Sequence, residues 1–126
     1  MTEVLRVLIS DDDEMIRAVL REVLDEEPDI AVVAVAGDAD EAIRLAEQHR
    51  PAVAVLDVRM PGGGGARAAR EITRRCPDTA ILAFSAYADR ASMAGLAAVG
   101  VTEYLVKGVP NAKIVETVRR LGQPPS

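Results

Sequence analysis

Several short apolar runs in this chain end on residues that could do chemistry. Ser10-Asp11-Asp12-Asp13 closes the first run, Asp57 the third, Ser85 the fourth and Lys107 the fifth. If the runs are strands of one parallel sheet, these residues gather on the rim where open α/β sheets bind ligands. Asp57 follows Ala52-Val53-Ala54-Val55-Leu56, so its carboxylate emerges from an otherwise apolar segment. Asp11 and Asp12 emerge beside it if the first and third strands are neighbours. Three carboxylates so placed repel one another, and a cation relieves the repulsion. Every donor on offer is an oxygen, which suits a hard, hydrated ion, Mg2+ first, rather than zinc. A carboxylate held beside Mg2+ and Lys107 can act as a nucleophile towards phosphorus, because both cations offset charge on the transferring oxygens. The chemistry predicted is phosphoryl transfer to Asp57. Ser85 would donate a hydrogen bond to one phosphoryl oxygen and Lys107 would pair with another.

The elements that must position these groups are legible from periodicity. Runs at 4–9, 30–36, 52–56, 79–84 and 101–106 have strand length, and none alternates cleanly with polar residues, the pattern of strands buried on both faces. Helical spacing fills the gaps. Met15, Ile16, Val19, Leu20, Val23 and Leu24 recur on one face of a first helix. A second opens with Asp38 and Glu41 in a reciprocal capping arrangement and turns Ala42, Ile43 and Ala46 inward. A third runs from about residue 65 to 75 over Ala69 and Ile72, and Pro77 prevents its continuation. A weaker fourth spans about 89–98 and stops at Gly100; a fifth uses Pro110 in its first turn and buries Ile114, Val118 and Leu121. The order βαβαβαβαβα predicts a doubly wound α/β fold, a five-stranded parallel sheet with helices on both faces.

Composition narrows the function. With 126 residues the chain has the size of one domain, expected over 1–121 with a short tail at 122–126. The chain is 49% apolar but only 2% aromatic, so the core must be aliphatic. A formal net charge of −5 argues against a surface that grips nucleic acid. The acid excess is local: residues 1–30 hold ten acids against three arginines. Of these, Asp25, Glu26, Glu27 and Asp29 read as solvated charge. The one cysteine, Cys76, reads as a small apolar filler, and nothing demands an oxidising compartment. No run approaches a membrane span or a signal peptide, so a cytoplasmic protein without membrane contact is expected.

Taken together, the residues resemble the receiver domain of bacterial two-component response regulators. The resemblance extends from Val4 to about Leu121. It rests on Asp11-Asp12 after the first strand, Asp57 followed by Met60-Pro61, Ser85-Ala86 after the fourth, and Tyr104 three residues before Lys107. It implies a strand order of 2-1-3-4-5 and Asp57 as phosphoacceptor. It also implies Asp12 and Asp57 as direct Mg2+ ligands, Asp11 as a water-mediated one and the Arg59 backbone carbonyl as the third protein ligand. The implied donor is a phosphohistidine on a sensor histidine kinase or phosphotransfer protein. Ser85 and Tyr104 would form the switch that alters a partner-binding face, with an output domain or a second copy as candidate partner. Such a domain is a signalling switch, not an enzyme beyond catalysing its own phosphorylation and dephosphorylation.

Some features depart from that pattern or read as ordinary structure. Lys107 is followed by Gly108, as in receivers fused to helix-turn-helix DNA-binding domains. Gly62-Gly63-Gly64-Gly65 predicts a floppy loop beside Asp57. It is neither a Walker loop nor a dinucleotide fingerprint. Arg59 and Tyr87 occupy positions that, by the resemblance, tune loss of the phosphoryl group. His49 suits a helix C-terminus. The alternative of another class is a haloacid-dehalogenase-like aspartyl phosphatase, reading Asp11 as nucleophile and Asp13 as acid; no residues remain for its cap and later acidic motif.

Overall fold

A computed structural model of the chain describes residues 4–60, 62, 64–86, 90–101 and 103–123. Pro61, Gly63, Tyr87, Asp89, Thr102 and the last three residues of the tail lie outside them. Strand and helix alternate throughout: β1 (Leu5–Ser10), α1 (Glu14–Asp25), β2 (Ile30–Ala36), α2 (Ala39–His49), β3 (Val53–Leu56), α3 (Gly64–Arg75), β4 (Ala80–Ser85), α4 (Arg90–Ala98), β5 (Glu103–Val106) and α5 (Asn111–Gly122). The five strands are parallel in the order β2-β1-β3-β4-β5, as the sequence resemblance implies.

The pleat divides the core into two layers. Val7 and Ile9 of β1, Val53 and Val55 of β3, and Leu82 and Phe84 of β4 meet Leu20, Leu24, Ile114 and Val118 of α1 and α5. Leu8, Ala54, Leu56 and Ala83 face the other way, onto Ala42, Ile43 and Ala46 of α2 and Ala68, Ala69 and Ile72 of α3. That second layer is built largely of alanine, which lets its helices approach the sheet closely. Burial on both faces holds for the central strand β3, while the edge strands β2 and β5 are only partly covered.

Local signals behave as their chemistry dictates. Asp38 Oδ1 accepts from the Glu41 amide at 2.8 Å, and Glu41 Oε1 accepts in return from Gly37, one residue earlier than the ideal capping box. Gly100 takes φ +93° after α4. Cys76 is buried with its Sγ against the Ala46 carbonyl.

Three expectations need correction. In α1 only Leu20 and Leu24 are buried, whereas Met15 and Val19 are exposed. At ~100° per residue the six apolar positions cover about half the helix circumference, more than one sheet face can bury. In α5 the buried set is Ile114, Val115, Thr117 and Val118, with Leu121 only partly covered. Thr117 tolerates burial because its hydroxyl donates to the Lys113 carbonyl at 2.7 Å. Finally, Asp25, Glu27 and Asp29 are not merely solvated. Arg119 donates from Nε and Nη2 to Asp29 at 2.8 Å each and from Nη2 to Glu27 at 2.6 Å, while Asp25 accepts from the Val32 amide at 2.9 Å.

Candidate functional site

Sheet order brings the predicted residues together. β1 and β3 are adjacent with Ser10 opposite Leu56, and the Asp57 amide donates to the Ser10 carbonyl at 2.9 Å. Asp11 and Asp57 therefore leave neighbouring strand ends side by side. Across β4 and β5, the Lys107 amide donates to the Ser85 carbonyl at 2.7 Å, which carries the lysine to the same rim. One oxygen from each of Asp11, Asp12 and Asp57 lies within 4.8 Å of the others.

The three acids are not equivalent. Asp11 and Asp57 are buried, and Asp12 is exposed at the mouth. Asp11 Oδ1 accepts from the Asp13 amide at 2.9 Å, and Asp57 Oδ1 accepts from the Arg59 amide at 3.3 Å. Lys107 Nζ stands 2.7 Å from Asp11 Oδ2 and 3.5 Å from Asp57 Oδ2. Asp11 Oδ2 thus has an ion-pair contact but accepts no hydrogen bond of good alignment. Asp13 belongs elsewhere, since its Oδ1 caps α1 by accepting from Met15 at 2.9 Å and Ile16 at 3.4 Å.

Electrostatics follow from this crowding. Burial, and then the charge of Asp11, push the Asp57 carboxyl up to about 6, against the opposing pull of Lys107 and the Arg59 amide. Burial works against the Lys107 ammonium, but its contact with Asp11 and the charge of Asp57 outweigh it and hold the lysine protonated above its ordinary range. Lys107 contacts Asp11 and Asp57, so one ammonium serves a group of three carboxylates, and a further cation would relieve the repulsion that remains. The donor set is all oxygen, so the cluster fits a hard divalent ion.

Ser85 is buried at the end of β4, and Tyr104 is half-buried on β5 opposite Ala83, packed against the alanine-rich core layer. Arg59 is exposed. Neither Arg59 nor Ser85 nor Tyr104 is without partners. The structure also adds supports that the sequence reading missed. Arg17 Nη1 donates to the Asp11 carbonyl at 2.7 Å, and the Ser10 hydroxyl donates to the buried Met60 sulfur at 2.9 Å. An arginine on an acidic helix reads as solvated charge, so Arg17 carried no distinguishing signal.

The glycine run behaves differently from a floppy spacer at its described positions. Gly64 has φ +76°, and the Gly65 amide donates to the Val58 carbonyl at 2.8 Å. A Cβ at Gly65 would lie 2.5 Å from the Asp57 carbonyl oxygen and 2.9 Å from Val58 Cα. Glycine is needed there because the start of α3 presses on the backbone that carries Asp57.

Comparison with known proteins agrees with this geometry. The family model for the response regulator receiver domain matches residues 7–119. The DNA-binding transcriptional activator DevR/DosR of Mycobacterium tuberculosis is 33% identical over 117 residues, 93% of this chain and 54% of that protein. The transcriptional regulatory protein LiaR of Bacillus subtilis is 34% identical over 115 residues, 91% of this chain and 54% of that protein. The crystal structure of a LuxR-family two-component response regulator from Aurantimonas sp. SI85-9A1 superposes with a TM-score of 0.88 at 30% identity, covering 95% of this chain and 86% of that one. The chain spans about half the length of the curated relatives it matches. Nothing in these comparisons supports the haloacid-dehalogenase-like alternative. A phosphoacceptor role fits the acidic rim, and the chain belongs to the receiver-domain family of two-component response regulators, a family of signalling switches.

Proposed function

We propose that Asp57 is the phosphoacceptor of this switch and that the acidic rim binds Mg2+. The observation that carries the reading is the convergence of Asp11, Asp12 and Asp57 within 4.8 Å, with the Lys107 ammonium between two of them. Asp12, Asp57 and the Arg59 carbonyl would hold the ion directly and Asp11 through water. The bound ion supplies charge neutralisation at the transferring phosphoryl oxygens. An Asp57 carboxylate oxygen attacks the phosphorus of a phosphohistidine; the new O–P bond forms as the P–N bond breaks, and the imidazole leaves with the pair and takes up a proton. Lys107 pairs with one phosphoryl oxygen and Ser85 donates to another. The domain catalyses its own phosphorylation and dephosphorylation.

The phosphoryl group then selects between two packings of Ser85 and Tyr104. A hundredfold population shift requires about 2.7 kcal/mol of differential contact, within reach of one or two charge-assisted hydrogen bonds. The phosphodonor is a sensor histidine kinase or phosphotransfer protein, and the domain itself works in the cytoplasm. Exposed Met15 and Val19, on the helix that follows the acidic loop, support its docking beside the rim. The receiver spans 1–121, with 122–126 as a tail. By analogy with DevR/DosR, the output is a DNA-binding module; a second copy is the other candidate partner of the switched face, and the receiver itself does not contact nucleic acid. None of the described helices is long and apolar enough to cross a membrane.

The test is intact-mass measurement after acetyl phosphate, with and without Mg2+. Wild type should gain one phosphoryl group only with Mg2+, and Asp57→Asn should gain none. If Asp57→Asn labels like wild type, the assignment is wrong.

A further inference from the structure

Ser10 is out of character with the strand that carries it. Val7, Leu8 and Ile9 before it are apolar and fully buried, and Ser10, at 1% exposure, brings a hydroxyl into the same core. That hydroxyl lies on the side of Leu8, towards the alanine-rich layer, and donates to the Met60 sulfur at 2.9 Å. A thioether is a weak acceptor, so the bond only partly offsets the cost of taking a hydroxyl out of water. An alanine there would suit the core as well or better. A buried polar group that stability does not justify is the kind that function keeps.

We propose that Ser10 is a positioning residue for the metal site, acting through the Met60 sulfur on the peptide group that presents the Arg59 carbonyl. This rests on the Mg2+ reading given above. The Arg59 carbonyl belongs to the planar peptide group whose nitrogen is that of Met60, so it turns only as the dihedrals on either side turn. On one side the Arg59 amide donates to Asp57 Oδ1 at 3.3 Å. On the other, the Met60 side chain is buried in the alanine-rich layer with the Ser10 hydroxyl on its sulfur. Methionine is unbranched and flexible, so burial alone leaves it a choice of rotamers, and the hydroxyl selects one. Every link is direct: Ser10 touches Met60, and Met60 is bonded to the carbonyl in question. Without the hydroxyl Met60 samples other rotamers, the fraction of molecules with the carbonyl in place falls, and apparent affinity falls with it.

The experiment is NMR titration of the unphosphorylated protein with Mg2+, with the methionine methyls observed and thermal melts run alongside, for wild type, Ser10→Ala, Met60→Leu and the double variant. Met60→Leu keeps an aliphatic side chain of similar size and removes the acceptor. Each single variant should bind Mg2+ about two- to fivefold more weakly, the worth of one weak hydrogen bond, while Ser10→Ala melts no lower than wild type. The double variant should bind as the single variants do, because both remove the same contact. A serine with a merely structural role would move the melting temperature and leave affinity alone. In metal-free Ser10→Ala the Met60 methyl should shift towards its rotamer-averaged position; an unmoved methyl overturns the inference independently of any metal. If Ser10→Ala binds Mg2+ as wild type does, or if the two single losses multiply in the double variant, the inference is overturned while the metal reading stands. Should Ser10→Ala melt well below wild type, Met60→Leu decides, and unchanged affinity there also overturns the inference. A wild type that binds no Mg2+ overturns the metal reading and this inference with it.

Discussion

Gly65 and Gly95 both lie inside helices, and the same substitution should act on them in opposite directions. Replacing a helical glycine by alanine gains about 0.5–1 kcal/mol when the added methyl is free. At Gly95 nothing lies within 4 Å of where the added methyl would stand, so Gly95→Ala should stabilise by about that amount. At Gly65 the methyl would stand 2.5 Å from the Asp57 carbonyl oxygen, where real Cβ atoms keep at least 3.0 Å. The strand end or the first turn of α3 must then move by 0.5 Å or more, the difference of those two distances. Both colliding groups are backbone and cannot rotate away, and overpacking of this kind costs about 1–3 kcal/mol. The net for Gly65→Ala is a loss of about 1–2 kcal/mol, or a fall in melting temperature of roughly 3–8 °C for a domain of this size. Urea and thermal melts followed by far-UV circular dichroism measure both variants, with an unchanged urea slope showing that the unfolded state is not responsible. Because the displaced backbone carries Asp57, Gly65→Ala should also bind Mg2+ more weakly. If Gly65→Ala proves as stable as wild type, the close approach of α3 to β3 is wrong.

Other consequences follow from charge. Asp57 is pushed up to about 6, so its ionisation is disfavoured by folding: the stability it lends is full below about pH 4 and is lost as pH rises through 6. In metal-free protein Asp57→Asn should therefore be more stable than wild type at pH 7, by about 1–2 kcal/mol after allowing for solvent at the pocket mouth, and the gain should vanish near pH 4. Urea melts across that range check it, and a pH-independent difference would refute the assignment. The Arg119 clamp has the opposite sign. Its hydrogen bonds hold the Asp29 carboxyl below its ordinary range, so the stabilisation is present at neutral pH and is lost as pH falls through the lowered value. Arg119→Met should melt lower than wild type at pH 7, with the gap closing in acid; an equal gap at both ends would show that packing of the arginine stem, not its charge, is what counts.

Much of the fold was legible because local order is written in short periods. Strand-length apolar runs alternating with amphipathic helices imply a parallel sheet, and handedness rules leave few ways to wind it. The Asp38–Glu41 cap and the left-handed Gly100 were readable for the same reason, being chemistry between residues a few positions apart. The candidate site was legible as a set of residues, Asp11, Asp12, Asp57, Ser85 and Lys107, because in such a sheet strand ends share one rim.

Only the tertiary structure decided what touches what. That Lys107 sits closer to Asp11 than to Asp57, and that Asp13 caps a helix instead of joining its neighbours, depends on side-chain directions that no spacing specifies. Met15 and Val19 share an apolar stripe with Leu20 and Leu24, yet the width of the sheet leaves them outside. Asp29 meets Arg119 across 90 positions of sequence, and Gly65 meets the Asp57 carbonyl through helix placement. Patterns of a few residues report which element forms and which face is apolar. Long-range pairs and close backbone approaches arise only when the elements are packed, which is why the set of candidate rim residues was in the sequence and their mutual geometry was not.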